Sequence, residues 1–343
     1  MPADLKGFNK SEMEQWAQGL GLAPYRGRQV RSWLFRRLAG SFEEMTDLPL
    51  PLRSQLAREA NIHHLSPVKR QESSDGTRKY LFELHDGYRI ESVLIPERDH
   101  LTICISSQAG CAMGCRFCLT GKQGLNRNLS PSEIVEQVIH IKRSVESPEH
   151  LTNIVFMGMG EPLANYDNLL KAVNNLVGET GMNFSHRKVT VSTCGLVPMM
   201  RRLGQDISVN LAVSLNATTD KIRDFLMPIN RRYPIDELIR ACRDFPLPNR
   251  RMITFEYILI NGINDSLDDA SRLALLLSGV RAKINLIALN AHESSDFKPP
   301  PMDRILRFQD KLVQKHFTAI IRKSKGEDIS AACGQLSGKL LQS

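Results

Sequence analysis

Three cysteines with a C-x3-C-x2-C spacing form the pattern in this chain that is most directly suited to chemistry. They follow an apolar run, residues 101–105, that is typical of a β-strand. Three thiolates can bind three irons of a four-iron cluster and leave the fourth iron open to a ligand. An open metal position suits catalysis, whereas a structural site closes every position. We therefore predict that a reactive iron–sulfur cluster is bound by Cys111, Cys115 and Cys118.

A structural zinc site is the alternative interpretation of the same cysteines. Zinc would need a fourth ligand, and Cys104 and His100 are the nearby candidates. Cys104, however, falls within the predicted strand, and no second C-x2-C pair follows in the sequence. The pattern therefore favours the cluster over zinc.

Polar residues recur where the predicted strands end. The strand at 153–157 runs into Gly158-Met-Gly-Glu-Pro162, whose glycines let the backbone approach a ligand closely. Later strand ends carry Ser192, Ser214 and Asn290. Each of these is by itself more often a turn or cap residue. Because parallel strands end at one rim of a barrel, together they could hold a ribose, a carboxylate and an adenine edge.

Two further cysteines carry separate expectations. Cys333 lies in a segment of small residues after the last predicted strand, and Gly334 and Gly338 indicate a loop that presents the thiol in a tight place. A buried, inert thiol is the commoner fate of a free cysteine. Cys104 is equally compatible with a strand core residue and with a functional thiol.

A basic segment near the N-terminus, residues 15–42, contains no acidic residue. An apolar stripe at helical spacing predicts an amphipathic helix, and it consists of Val30, Trp33, Leu34 and Leu38. The arginines of this segment are Arg26, Arg28, Arg31, Arg36 and Arg37. A solvated basic face and an RNA-binding face, where arginine contacts phosphates and stacks on bases, both fit this pattern.

Apolar strands alternate with amphipathic helices from residue 101 onward, which predicts parallel strands joined by crossovers. The predicted strands are 101–105, 153–157, 187–193, 209–215, 252–260, 283–289 and 317–322. We expect an α/β protein with a partial (β/α)6-type barrel at 99–325. It would follow a small N-terminal α+β accessory domain at 1–98 and precede a C-terminal segment at 326–343 that carries Cys333.

The composition limits the class of protein. The 343 residues include 45 basic and 37 acidic side chains, a net charge of +8 that fits an RNA partner without requiring one. Seven cysteines, an odd and clustered set, argue against a secreted disulfide framework. The polar N-terminus lacks a signal-peptide core, and no apolar run approaches the roughly 18 residues that span a bilayer. We therefore expect a cytoplasmic protein without a membrane partner.

Several of these motifs together resemble the RlmN/Cfr family of radical S-adenosylmethionine (SAM) RNA methyltransferases. The matching segments are 103–118, 157–162, 227–230 and 331–336, and the resemblance covers nearly the whole chain. It implies a radical SAM barrel with a 4Fe-4S cluster whose open iron is chelated by SAM, with two SAM molecules used per turnover. It also implies methylation of an adenosine at the ribosome's peptidyl-transferase centre.

The resemblance also assigns roles to individual residues. Cys333 would carry the methyl group, and Cys104 would be its resolving partner. Glu91, on the second strand of a β-hairpin that the sequence predicts at 79–95, would accept a proton from the adenine. SAM would be held by Gly160, Glu161, Ser192, Ser214, Leu215, Asn216 and Asn290. Asn216 departs from the histidine that is frequent in the family, which leaves its contact to SAM open.

Within the family, segments 106–110, 124–129 and 283–287 resemble the branch that methylates adenine carbon 2, some members of which also modify adenosine 37 of tRNA. The expected partners are therefore large-subunit rRNA, tRNA, and an electron donor such as flavodoxin or ferredoxin, with the enzyme acting as a monomer. Two alternatives remain. One is methylation at carbon 8, and the other is an iron–sulfur or zinc RNA-binding protein without methyltransferase activity.

Overall fold

The computed structural model describes residues 3–290 and 295–338. Residues 1–2 of the predicted accessory domain and 339–343 of the predicted C-terminal segment lie outside this range. The helices are α1 (Lys10–Gly19), α2 (Pro24–Phe35), α3 (Leu50–Glu59), α4 (Leu119–Lys122), α5 (Pro131–Ser144), α6 (Tyr166–Val177), α7 (Val197–Asp206), α8 (Asp220–Leu226), α9 (Ile235–Asp244), α10 (Leu267–Leu276) and α11 (Met302–Gln314).

The strands build three sheets in the described residues. They are β1 (Ala3–Asp4), β2 (Ala60–Asn61), β3 (Pro67–Glu72), β4 (Arg78–Glu83), β5 (Arg89–Pro96), β6 (Leu101–Cys104), β7 (Gln108–Cys111), β8 (Gly124–Asn128), β9 (Leu151–Phe156), β10 (Val189–Thr193), β11 (Asn210–Ser214), β12 (Ile253–Leu259), β13 (Ala282–Ala288) and β14 (Thr318–Arg322). Ten of them form one sheet in the order β14-β13-β12-β11-β10-β9-β6-β5-β4-β3.

Seven strands of this sheet, β6 and β9 to β14, pair in parallel and in chain order. Helices on the crossovers cover the sheet, and this arrangement confirms the predicted α/β architecture of a partial barrel. All seven predicted barrel strands are present, each within about two residues of its expected bounds. Because successive strands are neighbours, their C-terminal ends lie along one rim.

The β4–β5 hairpin continues the barrel sheet instead of folding separately. Strand β5 pairs antiparallel with β6, so that Val93 lies opposite Cys104 and Leu94 opposite Ile103. The predicted boundary at residue 98 falls in the connection between these two paired strands. The division into three domains therefore stays a prediction, and the hairpin provides one wall beside the barrel.

Buried polar contacts attach the N-terminal helices to the barrel. Arg31 on α2 is buried, and its guanidinium donates to Asn175 Oδ1 on α6 at 2.8 Å. Lys6 pairs with Glu136 on α5, and both side chains are inaccessible to solvent. These contacts fix the basic segment against the barrel helices. Within residues 3–290 and 295–338, every helix is too short or too polar to span a lipid bilayer.

Candidate active site

The three motif cysteines lie on a loop that a small β-hairpin holds at the rim of the barrel. Strand β7 ends at Cys111 and pairs antiparallel with β8, so the intervening residues fold over the strand ends. Cys111, Cys115 and Cys118 line one cavity. A Cβ at Gly121 would lie 3.0 Å from the backbone nitrogen of Cys115, so glycine is needed for the close packing of this loop.

Burial disfavours the charged form of these thiols. It raises the pKa of Cys111 to about 12, and it raises the pKa values of Cys115 and Cys118 above their ordinary value. A thiol with a raised pKa stays protonated near neutral pH until a metal cation replaces the proton. The loop therefore presents three thiols whose ionised form requires a positive partner.

The glycine-rich loop after β9 packs directly against the residues that precede the cysteine loop. Gly160 has φ of +98°, and a Cβ there would lie 2.5 Å from the Cβ of Gln108. The Gln108 Oε1 atom accepts a hydrogen bond from the backbone N–H of Glu161 at 2.8 Å. Gly160 and Glu161 thus lie on the cavity beside the cysteines, as the sequence predicts.

The carboxylate of Glu161 is buried and joins two strand ends. Its Oε2 atom accepts from the Cys194 N–H at 2.8 Å, and its Oε1 atom accepts from the Leu163 N–H at 3.0 Å. Burial raises the pKa of this carboxyl, although the two N–H donors act in the opposite direction. Glu161 therefore holds the loop after β9 against the end of β10.

Other predicted strand-end residues divide into two groups. Ser192 and Ser214 line the cavity, whereas Leu215 and Asn216 do not lie on its wall. Asn216 has φ of +57° and a buried side chain, and its Oδ1 atom accepts from the Ile258 N–H at 2.8 Å. Its side chain is thus engaged with β12. A role of Leu215 and Asn216 toward SAM stays a prediction.

A buried arginine that the sequence analysis did not single out connects the same strand ends. The Arg223 guanidinium on α8 donates to the carbonyl oxygens of Cys194, Ser214 and Leu215 at 2.7, 3.2 and 3.0 Å. It also donates to Asn230 Oδ1 at 3.0 Å. Helix α8 has only seven residues, which is too short for hydrophobic periodicity to mark this residue in the sequence.

Cys333 reaches the same cavity from the far end of the sequence. Its segment follows β14 and crosses the rim, where the Leu119 N–H donates to the Gly334 carbonyl at 2.8 Å. Cys333 lines the cavity together with the three motif cysteines. Cys333 is an exposed residue, but the protein atoms around its sulfur partly desolvate the thiol and raise its pKa, and Arg322 acts in the opposite direction. Asn290 borders the segment and donates to the Cys333 carbonyl at 3.4 Å.

Cys104 lies on β6 and is buried, and it is near enough to Cys333 for the two sulfur atoms to interact electrostatically. Burial raises the pKa of Cys104 far above its ordinary value, and Cys333 adds to the effect. All seven cysteines are free thiols in this structure. The fold therefore brings two thiols that are remote in sequence into the same region.

Glu91 on β5 is buried beneath the C-terminal segment. Its Oε1 atom pairs with Lys79 Nζ at 3.2 Å, and its Oε2 atom accepts from the backbone N–H groups of Ser337 and Gly338 at 2.6 and 3.0 Å. A Cβ at Gly338 would lie 2.7 Å from the Arg89 carbonyl oxygen, so the segment packs tightly on the hairpin. In this structure the carboxylate of Glu91 is fully engaged.

The basic segment comprises the end of α1, helix α2 and the residues that follow α2 up to residue 42. Arg31, expected on a basic face, instead points inward, because it donates to Asn175 and to Thr180 Oγ1 at 3.2 Å. Arg37 stacks on Trp33 with 4.0 Å between the guanidinium carbon and the ring centroid. Arg36 and Arg37 stay exposed, although Arg36 donates to the Glu179 carbonyl and Arg37 pairs with Asp47 at 3.3 Å, whereas Arg31 is structural.

The donor set fits an iron–sulfur cluster. Thiolates are the ligands that such clusters prefer, and three of them border one cavity. Among the described residues, no three Cys, His, Asp or Glu side chains converge as the ligands of a single metal ion do. The cysteines of a four-iron cluster bind separate irons and therefore lie further apart. Ser192 and Ser214 add polar groups that a nucleoside ligand could use.

Two protein-family models and many known proteins match this chain. The model of the Radical SAM superfamily matches residues 105–274, and that of the ribosomal RNA large subunit methyltransferase N-terminal domain matches residues 3–62. The chain is 57% identical to the dual-specificity RNA methyltransferase RlmN of Geobacter sulfurreducens, over 98% of this chain and 92% of that protein. It is 52% identical to RlmN of Desulfosudis oleivorans, over 99% and 92% of the two chains.

A crystal structure of a radical SAM methyltransferase from Sphaerobacter thermophilus has the same fold, with a TM-score of 0.94 and 46% identity over 98% of this chain and 100% of that one. The partial barrel and its cysteine loop thus define a radical SAM enzyme that uses a 4Fe-4S cluster and SAM. The chain belongs to the RlmN family of RNA methyltransferases.

Proposed function

We propose that this enzyme methylates carbon 2 of an adenosine at the peptidyl-transferase centre of large-subunit rRNA, and of adenosine 37 in tRNA, with Cys333 as the methyl carrier. The relatives named above are dual-specificity RNA methyltransferases, which supports two RNA substrates. Methylation at carbon 8 is not favoured, since the chain falls with RlmN at 50–57% identity over nearly its full length.

One observation carries the proposal: Cys333 lines the same cavity as the three motif cysteines, although more than two hundred positions separate them in sequence. Cys194 also lines this cavity, but it is buried, whereas Cys333 is exposed and can meet a substrate. The loop bond from Leu119 to Gly334 and the bond from Thr120 Oγ1 to the Leu336 carbonyl, at 2.6 Å, hold the carrier segment against the cysteine loop.

Each cysteine of the site has a separate role in the proposed reaction. When bound, the cluster and SAM supply the methyl group and the 5′-deoxyadenosyl radical. Cys111, Cys115 and Cys118 hold the cluster. Cys333 carries the methyl group on its sulfur, which requires its thiolate form. The Cys104 thiolate then attacks the sulfur of Cys333 while its carbon is joined to the adenine. An S–S bond forms as that carbon–sulfur bond breaks, and the released carbon takes up a proton and becomes the methyl group of the product.

Glu91 is the proposed proton acceptor for the ring hydrogen of adenine. Its carboxylate is held by Lys79 and by two backbone donors of the C-terminal segment. For the carboxylate to reach an RNA base, the segment that contains Ser337 and Gly338 must release it. Proton transfer and movement of the Cys333 segment are therefore coupled in the proposed mechanism.

The remaining partners follow from the same proposal. A flavodoxin or ferredoxin would donate the electron that the cluster needs, and the chain would act as a monomer in a reducing cytoplasm. Exposed arginines of the basic segment would contact the RNA backbone, with Arg36 and Arg37 as the first candidates.

The test uses anaerobically reconstituted protein with SAM, a reductant and unmodified large-subunit rRNA, followed by digestion of the RNA and mass spectrometry. We expect 2-methyladenosine from the wild type and none from Cys333→Ala. The matched control is Cys242→Ala, because Cys242 is buried on α9 and does not line the cavity. It should retain the product.

Three results would contradict the proposal. Formation of 8-methyladenosine would assign the enzyme to the branch that methylates carbon 8. Normal methylation by Cys333→Ala would show that Cys333 is not the methyl carrier. Release of 5′-deoxyadenosine without methylated RNA would indicate a different substrate. The same assay with unmodified tRNA tests the second substrate separately.

A further inference from the structure

Glu256 has a carboxylate oxygen without a partner at the wall of the active-site cavity. The residue is only 6% exposed. Its Oε1 atom accepts a hydrogen bond from Asn285 Nδ2 at 3.0 Å, whereas its Oε2 atom is buried and has no hydrogen-bond partner among the described residues. A buried polar atom that lacks a partner costs free energy, so native proteins rarely keep one without a use.

The position of Glu256 in the sheet places this residue at the cavity wall. Glu256 lies on β12 in register with Ser214 on β11, and neighbours in register project from the same face of a sheet. Both residues line the cavity that also contains Cys118 and Cys333. A charged residue within the apolar strand Ile253–Leu259 is also the local signal that the sequence analysis passed over.

The chemistry of the free oxygen selects the kind of group it would bind. An ionised carboxylate only accepts hydrogen bonds, so its partner must be a donor. On the proposed function the amino and carboxylate groups of SAM bind iron, which leaves the ribose hydroxyls and the adenine amine as donors. The serine hydroxyl beside Glu256 suits a ribose, since carboxylates bind ribose hydroxyls in other nucleotide sites as well.

We propose that Glu256 is a further ligand-binding residue, whose Oε2 atom accepts a hydrogen bond from a ribose hydroxyl of SAM. The inference rests on the proposed function for the identity of the ligand. Asn285 occupies the other carboxylate oxygen, which leaves Oε2 as the acceptor available to a ligand. Removing one hydroxyl from the ligand and removing the carboxylate from the protein should therefore have the same effect.

The experiment measures binding, without turnover and without RNA. Anaerobic calorimetry on the cluster-loaded protein would use S-adenosylhomocysteine and its 2′-deoxy and 3′-deoxy analogues. For the wild type we expect one deoxy analogue to bind about tenfold to a hundredfold more weakly, as for loss of a hydrogen bond to a charged group. Glu256→Gln should bind S-adenosylhomocysteine more weakly than the wild type by a similar factor. The variant should bind that deoxy analogue as weakly as the wild type does, with no additional loss of affinity.

Glu149→Gln is the matched control, because Glu149 is exposed just before β9, at the opposite end of the strand from the cavity. It should bind all three ligands as the wild type does. Iron content and the thermal melting temperature identify a variant that has failed to fold. The analogue series on the wild type needs no variant, and equal affinity for all three ligands would overturn the inference.

Other outcomes are equally decisive. Unchanged binding of S-adenosylhomocysteine by Glu256→Gln would overturn the inference. The inference would also be overturned if, in Glu256→Gln, removing either hydroxyl from the ligand weakened binding by as much as it does in the wild type. A further analogue, whose purine lacks the amino group, tests adenine as the partner. If this analogue binds the wild type more weakly and Glu256→Gln causes no additional loss with it, Glu256 binds the adenine amine and the ribose assignment is wrong. Failure of the wild type to bind S-adenosylhomocysteine at all would contradict the proposed function itself.

Discussion

The Oε2 atom of Glu91 accepts a hydrogen bond from the backbone N–H of Ser337, with 2.6 Å between the two atoms. This contact joins the proposed proton acceptor to the segment that carries Cys333. Lys79 completes the arrangement, since its ammonium pairs with Glu91 at 3.2 Å and donates to the Ser330 carbonyl at 3.3 Å. The buried pair thus anchors the segment on either side of the proposed methyl carrier.

Lys79→Met should release the C-terminal segment, because the Glu91 carboxylate would lose its cationic partner while still buried. We expect faster amide hydrogen exchange at residues 333–338 and several-fold faster alkylation of Cys333. Glu83→Gln is a suitable control, since it removes an exposed partner of Arg89 on the same hairpin. Unchanged exchange in Lys79→Met would show that the pair does not anchor the segment.

Gly160→Ala should disrupt the site by steric contact with Gln108. The new Cβ would lie 2.5 Å from the Gln108 Cβ, in addition to the roughly 1–2 kcal/mol that a left-handed backbone costs a residue with a side chain. Gly279→Ala separates the two effects, because Gly279 has φ of +80° and open space around its Cβ position. Iron retention after reconstitution should fall in the first variant and stay normal in the second.

Arg223→Met should strongly destabilise the protein, because three buried carbonyl groups would lose their donor. Each buried group left without a partner costs about 1–3 kcal/mol. The control Arg240→Met removes an exposed guanidinium paired with Asp236, for which we expect a change of about 1 kcal/mol or less. Chemical unfolding of the two variants provides the comparison, and equal stabilities would contradict the structural role of Arg223.

Arg322→Met should make Cys333 a weaker acid. Burial raises the pKa of the Cys333 thiol and Arg322 lowers it, so loss of the cation moves this pKa further upward. At any fixed pH below the pKa, a smaller fraction of Cys333 is then the reactive thiolate. The pH profile of Cys333 alkylation should therefore shift to higher pH, and a shift to lower pH would contradict the assigned effect of Arg322.

Arg31→Ala and Arg37→Ala should separate structure from RNA binding within the basic segment. Arg31 is buried against α6, so its loss should lower stability, whereas Arg37 is exposed and its loss should weaken RNA binding instead. If Arg37 contacts a phosphate, its replacement by alanine also reduces the salt dependence of binding. An RNA affinity of Arg37→Ala equal to that of the wild type would assign the interface elsewhere.

The sequence by itself determined the order of the barrel strands and the identity of the cysteine loop. Strand-helix alternation depends on local hydrophobic periodicity, and a ligand motif with short spacing depends on neighbouring residues. For this reason the seven parallel strands and the positions of Cys111, Cys115 and Cys118 could be placed without coordinates. The side chains of Ser192 and Ser214 also lie on the cavity, because strand ends share one rim.

Only the tertiary structure decided which distant residues meet and which way their side chains point. Arg31 reads as part of a basic face but is buried, since its partner Asn175 lies on another helix. Glu256 reads as one polar residue in an apolar strand, and its unpartnered oxygen becomes visible only when its strand neighbours are in place. The cover over Glu91 likewise depends on backbone donors from the far end of the chain, which no local pattern encodes.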